Sequence, residues 1–433
     1  MKMTGITTST ATHLVKRSKP FLLSLVFAIL QLVASAQHYK GAIKIRIDPS
    51  AAMGGTVSQY IDSLKFFTFE STDESAFGNI DQVEITDQYF IILDRETTSV
   101  LIFDKGGKFH AKIAGKKLNP QDPNFFNFNF DRNTKLIEID YPGTYLYFFD
   151  LNGKMINKKK HIESYKDFYG TKTILEDHYE AYYAYNPTIP FYPKDSIGGE
   201  LTVFEKGKLK HLYLPYRFGQ KDDGDHGWQS SLSHTDFYPA YEGKDTVLFY
   251  VRNLDYNIYK LTPDTLQVAY RFILPLQNSL PPNFRTDSSF NKKRSQYLKE
   301  HKEVIQRLGN FYKSGDCLFF RAINNNFSYL SYIYNTQLQR LICINKIVSD
   351  STSYFLPITD AEVGGLDFNN NGIIQFDGTS FYTSYSSLIL FYQAEATKNK
   401  KPKYPPELAA YLQNEKNRKG NPVLVQIHFK PNL

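Results

Sequence analysis

Residues 100–113 read VLIFDKGGKFHAKI, and residues 145–159 read YLYFFDLNGKMINKK. In both, an apolar run ends in Phe-Asp (103–104 and 149–150), and Gly-Lys follows two residues later (107–108 and 153–154). Glycine takes a positive φ without steric cost, which a three- or four-residue hairpin loop demands. Aspartate hydrogen-bonds the turn backbone. Each stretch is therefore a β-hairpin that carries its own turn chemistry. A further apolar strand precedes each one: YFIILDR at 89–95 and KLIEIDYP at 135–142. A weaker strand ahead of these completes four antiparallel strands at a period near 45 residues, which is the pattern of a propeller blade.

The unit recurs with decay. ELTVFEKGKLKHLYL (200–214) keeps Phe204-Glu205 and Gly207-Lys208 with a loop one residue shorter. NIYKLTPDTLQVAYRFIL (257–274) puts Tyr259 at the anchor, and YLSYIYNTQLQRLICINKI (329–347) puts Tyr334 there. The long gap before the fifth anchor holds residues 287–311, where Tyr297, His301, Val304, Ile305 and Leu308 recur at helical spacing. This predicts an inserted helix with a cap at Asp287 or Ser288. In the sixth unit, 372–386 supplies two strands, 405–416 a helix started by proline, and NPVLVQIHF (421–429) a last strand. One outer strand is missing there. AIKIRID (42–48) has the alternation to fill it, which would join the two chain ends in one blade and leave no open edge. The expected fold is all-β: a six-bladed β-propeller of four-stranded antiparallel blades over residues 37–433. An N-terminal strand closes the last blade, and one or two helices are inserted.

The N-terminus is a different kind of segment. Lys16, Arg17 and Lys19 precede an apolar stretch from Phe21 to Ala34, and Ala34-Ser35-Ala36 offers the small residues that signal peptidase requires. The stretch is shorter than the roughly 18–20 residues that span a bilayer. Residues 1–36 read as a secretory signal peptide cleaved before Gln37, with no transmembrane segment afterwards. Because Gln37 is not cysteine, no lipid anchor is expected. Localisation is read as exported, to the periplasm or the extracellular space. Loss of residues 1–36 takes the formal net charge from +7 to +3, so the basicity is mostly targeting signal and gives no reason to expect nucleic acid. The remaining basic runs, NKKKH (157–161) and KNKKPK (398–403), read as solvated loops. The chain carries 32 Tyr and 34 Phe against a single Trp, which suits strands.

With its opening IKIRID, the following SLKFFTFES (63–71), the first blade YFIILDRETTSVLIFDKGGKF and the closing Asn421-Pro422-Val423-Leu424-Val425, the chain resembles the exported six-bladed β-propellers of Bacteroidota, one branch of which consists of lipoproteins. The resemblance covers nearly all of residues 37–433 and implies fold and compartment, with no established activity. Relatives often place a glycine-rich GxGPGEY loop after the first hairpin. Here that region reads IAGKKLNPQDPNFFNF (113–128), so a site built on that loop would be altered. The lipid-anchoring cysteine of many relatives is missing as well.

Candidate chemistry is sparse. The densest polar cluster is KDDGDHGWQSSLSHTD (221–236). Within it Asp225, His226 and Trp228 form the candidate ligand-binding set, with the indole as a stacking platform and the polar neighbours as orienting groups. A solvated Gly/Asp turn is the plainer reading. Its spacing fits neither a zinc motif nor a complete calcium loop. Asp367, Asn369, Asn371 and Gly372 match only half of a calcium loop, and a hairpin turn accounts for them. No G-x-S-x-G and no phosphate-cradling loop occurs. Cys317 and Cys343 sit in strand-like runs two strands apart, so neither a nucleophile nor a disulfide is expected. No catalytic residue, metal or cofactor is assigned.

The function expected from these features is that of a non-catalytic binding or scaffold protein of the cell envelope, with a protein, peptide or glycan as partner. The alternatives are a propeller enzyme, a lyase or hydrolase drawing residues from several blade loops, and a carbohydrate-binding accessory protein using aromatic platforms. The oligomeric state is not legible.

Overall fold

A computed structural model describes residues 41–433 except 122, 126, 142–144, 161–171, 177–178, 184–196, 218–236, 241–246, 286, 291–292, 325–328 and 359–371. The signal segment and the Asp225–His226–Trp228 cluster lie outside the described residues.

Three short strands open the described chain: β1 (Ile43–Arg46), β2 (Met53–Thr56) and β3 (Ile61–Phe67). Six sheets follow around a ring. Blade one holds β4 (Gln82–Ile85), β5 (Tyr89–Asp94), β6 (Ser99–Asp104) and β7 (Phe109–Ala114). Blade two holds β8 (Phe128–Asp131), β9 (Leu136–Tyr141), β10 (Tyr145–Phe149) and β11 (Met155–Lys160). Blade three holds β12 (Lys172–Glu176), β13 (Tyr179–Tyr183), β14 (Ile197–Glu205) and β15 (Lys208–Arg217). Blade four holds β16 (Phe237–Pro239), β17 (Leu248–Val251), β18 (Asn257–Leu261) and β19 (Leu266–Ile273). Blade five holds β20 (Ile305–Ser314), β21 (Cys317–Asn324), β22 (Tyr329–Asn335) and β23 (Arg340–Val348). Blade six combines β24 (Gln375–Phe376), β25 (Phe381–Tyr385) and β26 (Val423–Phe429) with β3 from the other end of the chain. The fold is thus a six-bladed β-propeller whose last blade is completed by an N-terminal strand.

The repeated sequence grammar has one structural meaning. Phe103, Phe149, Phe204, Tyr259 and Tyr334 all lie in the third strand of their blades. In blades one to four the pairing with the fourth strand shifts register beside the anchor, so a bulge recurs there. The first two turns are nearly superimposable in their hydrogen bonds. The Asp104 carboxylate accepts from the N–H groups of Gly106 and Lys108, both at 2.9 Å. The Asp150 carboxylate accepts from Asn152 and Lys154 at the same distances. Gly107 and Gly153 have φ of 82° and 72°, the left-handed region that glycine enters freely.

The phenylalanines pack at the seams between blades. Phe67 meets Phe90 edge-on at 4.8 Å across blades six and one, Phe249 meets Phe311 at 4.9 Å across four and five, and Phe319 meets Phe381 at 4.0 Å across five and six. Such pairs contribute about 0.5–1.5 kcal/mol each beyond area burial. This is why the chain spends so much of its composition on Phe and Tyr.

Three expectations are corrected. AIKIRID does not pair with PVLVQIHF. β1 runs parallel to β19 on the outside of blade four (Ile43 opposite Tyr270), and β2 runs parallel to β23 on blade five. β3 is the strand that pairs antiparallel with β26, with Leu64 opposite Ile427. Residues 43–67 thus form a belt over blades four, five and six. Alternation marks a half-buried strand but not whose edge it takes. Of β1 only Ile45 is buried, which suits an outer edge, whereas Phe67 of β3 reaches the blade-one core.

The helix predicted over 287–311 is shorter. It spans Arg294–Glu300, and Ile305–Ser314 is the first strand of blade five. That strand is buried on both faces along most of its length, so its apolar residues carry no period of two and mimic helical spacing. His301 ends the helix with its ring stacked on Tyr297 at 3.9 Å. The proline-started helix is present as Pro406–Gln413, beside an unanticipated helix Ser387–Ala396. Finally, residues 157–160 of the NKKKH run belong to β11 rather than to a loop.

Candidate functional site

The two ends of the ring differ in the length of their connections. The described first-to-second and third-to-fourth strand links are short, such as 86–88, 105–108, 150–154, 206–207, 262–265 and 377–380, and β16 and β17 are separated by residues 240–247. Second-to-third links and links between blades leave the opposite end. They include 115–127, 218–236, 274–304, 349–374 and 386–422. The long connections between described strands are therefore rooted at one end of the propeller, and loops on a rigid scaffold are where functional residues most often lie. The insertion 274–304 is anchored by Tyr256, whose hydroxyl donates to the Ile305 carbonyl at 2.6 Å and accepts from the Leu280 N–H at 2.8 Å.

The first strands of neighbouring blades approach one another around the axis, as β24 does β4, β8 does β12 and β16 does β20. Polar side chains on them cross the seams. The Gln82 amide is bidentate to the backbone of Phe128, donating to its carbonyl at 2.7 Å and accepting from its N–H at 3.2 Å. Gln375 donates to the Val83 carbonyl at 3.1 Å and lies 3.4 Å from Glu84 Oε1. Arg132 meets Glu84 Oε2 at 3.0 Å and also reaches the Ile85 carbonyl. Asn310 Nδ2 donates to the Ile373 carbonyl at 2.6 Å. Burial pushes the Glu84 carboxyl above its ordinary range, against the opposing pull of Arg132. Glu84 can thus hold a proton at a higher pH than a free glutamate. Its partners are nonetheless bound to the seam backbone, and the cluster as built ties blades six, one and two together.

A second cluster looks more chemical than it is. Ser380 Oγ lies 3.3 Å from His428 Nε2 in blade six. Ser380 is 1% exposed, and its hydroxyl also takes a hydrogen bond from Gln426 at 3.0 Å. Gln426 donates to the Tyr382 hydroxyl as well, and Tyr382 donates to Asp377 at 2.7 Å. A buried serine inside a closed network offers no attack trajectory to a substrate.

Asp225, His226 and Trp228 belong to the link 218–236 between β15 and β16, outside the described residues. Residues 367–371 of the half calcium loop lie outside as well. Among the described residues no three His, Cys, Asp or Glu side chains gather as a metal site, and no helix is long and apolar enough to cross a membrane. Gln82, Glu84 and Gln375 escaped sequence reasoning. The available signal was a polar residue at alternate positions of short first strands, QVEI and IIQF, where an ordinary core strand would stay apolar.

Compared with family models, residues 44–428 match a domain of unknown function, DUF4934. The chain belongs to that family. The DUF4934 match begins inside β1 and ends inside β26, so it takes in the belt and all six blades. The fold is similar to the crystal structure of a candidate exported protein from Bacteroides fragilis NCTC 9343, with a TM-score of 0.63 and 15% identity over 89% of this chain and 99% of that one. A more distant likeness is to BamB from Moraxella catarrhalis, with a TM-score of 0.32 and 11% identity over 64% of this chain and 66% of that chain. No functionally curated protein matches.

Proposed function

We propose that this DUF4934 protein is an exported, non-catalytic binding or scaffold propeller of the cell envelope, cleaved before Gln37, which holds its ligand at the end carrying the long connections. The observation that carries the reading is the segregation of those connections: tight turns at one end, and links as long as 386–422 at the other. The basic-apolar-small pattern of residues 16–36 supports export. The description of the Bacteroides fragilis protein as a candidate exported one agrees with it. Two further observations favour binding over catalysis. Gln82 and Gln375 are engaged with seam backbone, and Ser380 of the Ser380–His428 pair is buried in a hydrogen-bonded network.

Within this reading, Asp225, His226 and Trp228 supply a first contact set on the 218–236 link, with the indole burying apolar area and the polar groups setting orientation. The test begins with N-terminal sequencing of exported material, which should start at Gln37. A binding partner is then sought among immobilised glycans and peptides, and the hit is measured against Trp228→Ala. Lost binding with unchanged melting supports the site. Binding that survives while stability falls makes Trp228 a packing residue. A product that stays in the membrane with residues 21–34 attached contradicts the export reading.

A further inference from the structure

The belt shows that the outer strands of this propeller accept an additional strand in parallel. β1 adds to β19 over four paired residues, Ile43 to Arg46 opposite Tyr270 to Ile273, and β2 adds to β23. Both fifth strands come from the chain's own N-terminal segment. β11 is an outer strand of the same kind. It pairs with β10 on one side (Tyr145 opposite Lys160, Leu146 opposite Lys159), and among the described residues no strand pairs with its other side.

β11 is more exposed than the other described outer strands, and it is strongly basic. All six of its residues are exposed, on both faces of the sheet, whereas β7 keeps Ala111 and Ile113 buried. Lys154, Lys158, Lys159 and Lys160 place four positive charges within residues 153–160, with no acid among them. The lysines stand on both faces. Lys158 Nζ lies over the ring of Tyr145 at 3.8 Å, and Lys159 Nζ lies over Phe148 at 5.0 Å from the opposite face. Met155 and Ile156 add exposed apolar surface at the start of the strand, 45% and 52% exposed. Lysines on an edge repel a second copy of the same edge. They do not repel an acidic strand, whose alternating side chains would meet lysines above and below the sheet. The main-chain ladder would supply affinity and the flanking charges selectivity.

We infer that β11 is a strand-addition site for an extended, acidic segment of another protein, received in parallel as β19 receives β1. This surface is separate from the long-connection end, so the inference stands whether or not a ligand binds there.

The test uses the mature chain and a fluorescent heptapeptide Glu-Glu-Val-Val-Glu-Glu-Val, which carries glutamates on both faces of an extended strand, followed by anisotropy at about 0.15 M salt, where long-range attraction is largely screened. Saturable binding is expected. It should weaken at least tenfold when the central Val is replaced by Pro, because proline cannot join the ladder. The variant K158E/K159E/K160E should lose the Glu/Val peptide and gain a Lys/Val one, with melting only slightly lowered, because all three side chains are exposed and only the ring contacts of Lys158 and Lys159 are lost. If the triple variant does not fold, K159E alone should still weaken binding several-fold. Absence of binding, equal binding of the proline peptide, or undiminished binding by a folded charge-reversed variant overturns the inference.

Discussion

The side-chain oxygen of Asn421 accepts a hydrogen bond from the backbone N–H of Phe77 at 2.9 Å, across 344 residues of chain. The same amide donates to the carbonyls of Glu70 and Ser75 at 2.8 and 3.0 Å. One buried side chain thereby pins the entry of β26 to the segment that leads from β3 into blade one. This gives a physical reason for the Asn-Pro that opens the closing strand. The amide has one acceptor and two donors, and all three are used on backbone groups that would otherwise be stranded at the ring's joint.

Asn421→Ala leaves those backbone groups without their partner and should cost about 2–4 kcal/mol, read from urea denaturation. Asn421→Asp should cost at least as much at neutral pH, because a carboxylate accepts from Phe77 but faces two carbonyls. Acidification should recover part of the loss by restoring one donor. A variant as stable as the parent would remove Asn421 from the closure.

The two hairpins of the repeat separate two effects of one substitution. Gly153→Ala meets nothing closer than the Ala111 methyl at 3.4 Å, so its cost is the left-handed backbone alone, about 1–2 kcal/mol. At Gly107 the new Cβ would also stand against the Thr68 carbonyl, in the strap between β3 and blade one, whose Glu70 N–H donates to the Gly107 carbonyl at 2.8 Å. Gly107→Ala should therefore be clearly the more destabilising of the two in calorimetry. Equal losses would show that the strap yields freely.

The local part of the fold was legible because turn chemistry is local. Phe-Asp-x-x-Gly-Lys counts blades, since Asp104 and Gly107 do the same work as Asp150 and Gly153. Ring closure was legible as a need and not as a pairing. Nothing in AIKIRID or SLKFF states which edge lies beside β26, because that choice depends on packing such as Phe67 on Phe90 across the joint. The inner strand Ile305–Ser314 carries a helix-like pattern in the sequence because burial on both faces erases alternation. The candidate ligand loop was legible only as composition, since loop residues converge through the whole ring rather than through their spacing.

Glu84 should give stability a pH dependence of definite sign. Burial, the larger influence, raises its carboxyl above the ordinary 4.5 despite Arg132. The folded state then binds the proton more tightly than the unfolded state, so this group's contribution is complete below about 4.5 and is lost as pH rises through the folded value. Glu84→Gln should remove that loss, and the stability of the variant relative to the parent should increase with pH across the window. Arg132 is half-exposed, so its ion pair offers little compensation, at most about 1 kcal/mol. A difference that shrinks with rising pH would give the ion pair the larger weight.

Cys317 and Cys343 are both buried and free, on β21 and β23 with β22 between them. Strands one and three of a sheet stand about 9.6 Å apart, beyond disulfide reach. Burial, with Asp316 beside it, pushes the Cys317 thiol up to about 11, and burial also raises Cys343. Alkylation at pH 8 should be slow on the native protein and should count two thiols on the unfolded, unreduced protein. Labelling that requires a reductant would show a different strand order.

The belt and the closing strand have separate roles. Deleting residues 37–48 removes β1 from blade four and should leave a folded monomer with a modestly lower melting temperature. Extending the deletion through 67 removes β3 from blade six, exposes β26 and should abolish cooperative unfolding.

The closure itself is open to a covalent test. Ser63 stands opposite His428 and Leu64 opposite Ile427 in the antiparallel pair. Successive pairs alternate between Cα separations near 5.5 and 4.5 Å, both within the span of a disulfide, the second with the closer side chains. Cysteines placed at 63 and 428, and separately at 64 and 427, should oxidise to an intramolecular link in at least one case, found by mass spectrometry as a peptide joining the two ends of the chain. A third variant with cysteines at 44 and 427 that becomes linked, with neither designed pair reacting, would contradict closure by β3 and restore β1 as the strand that completes the ring.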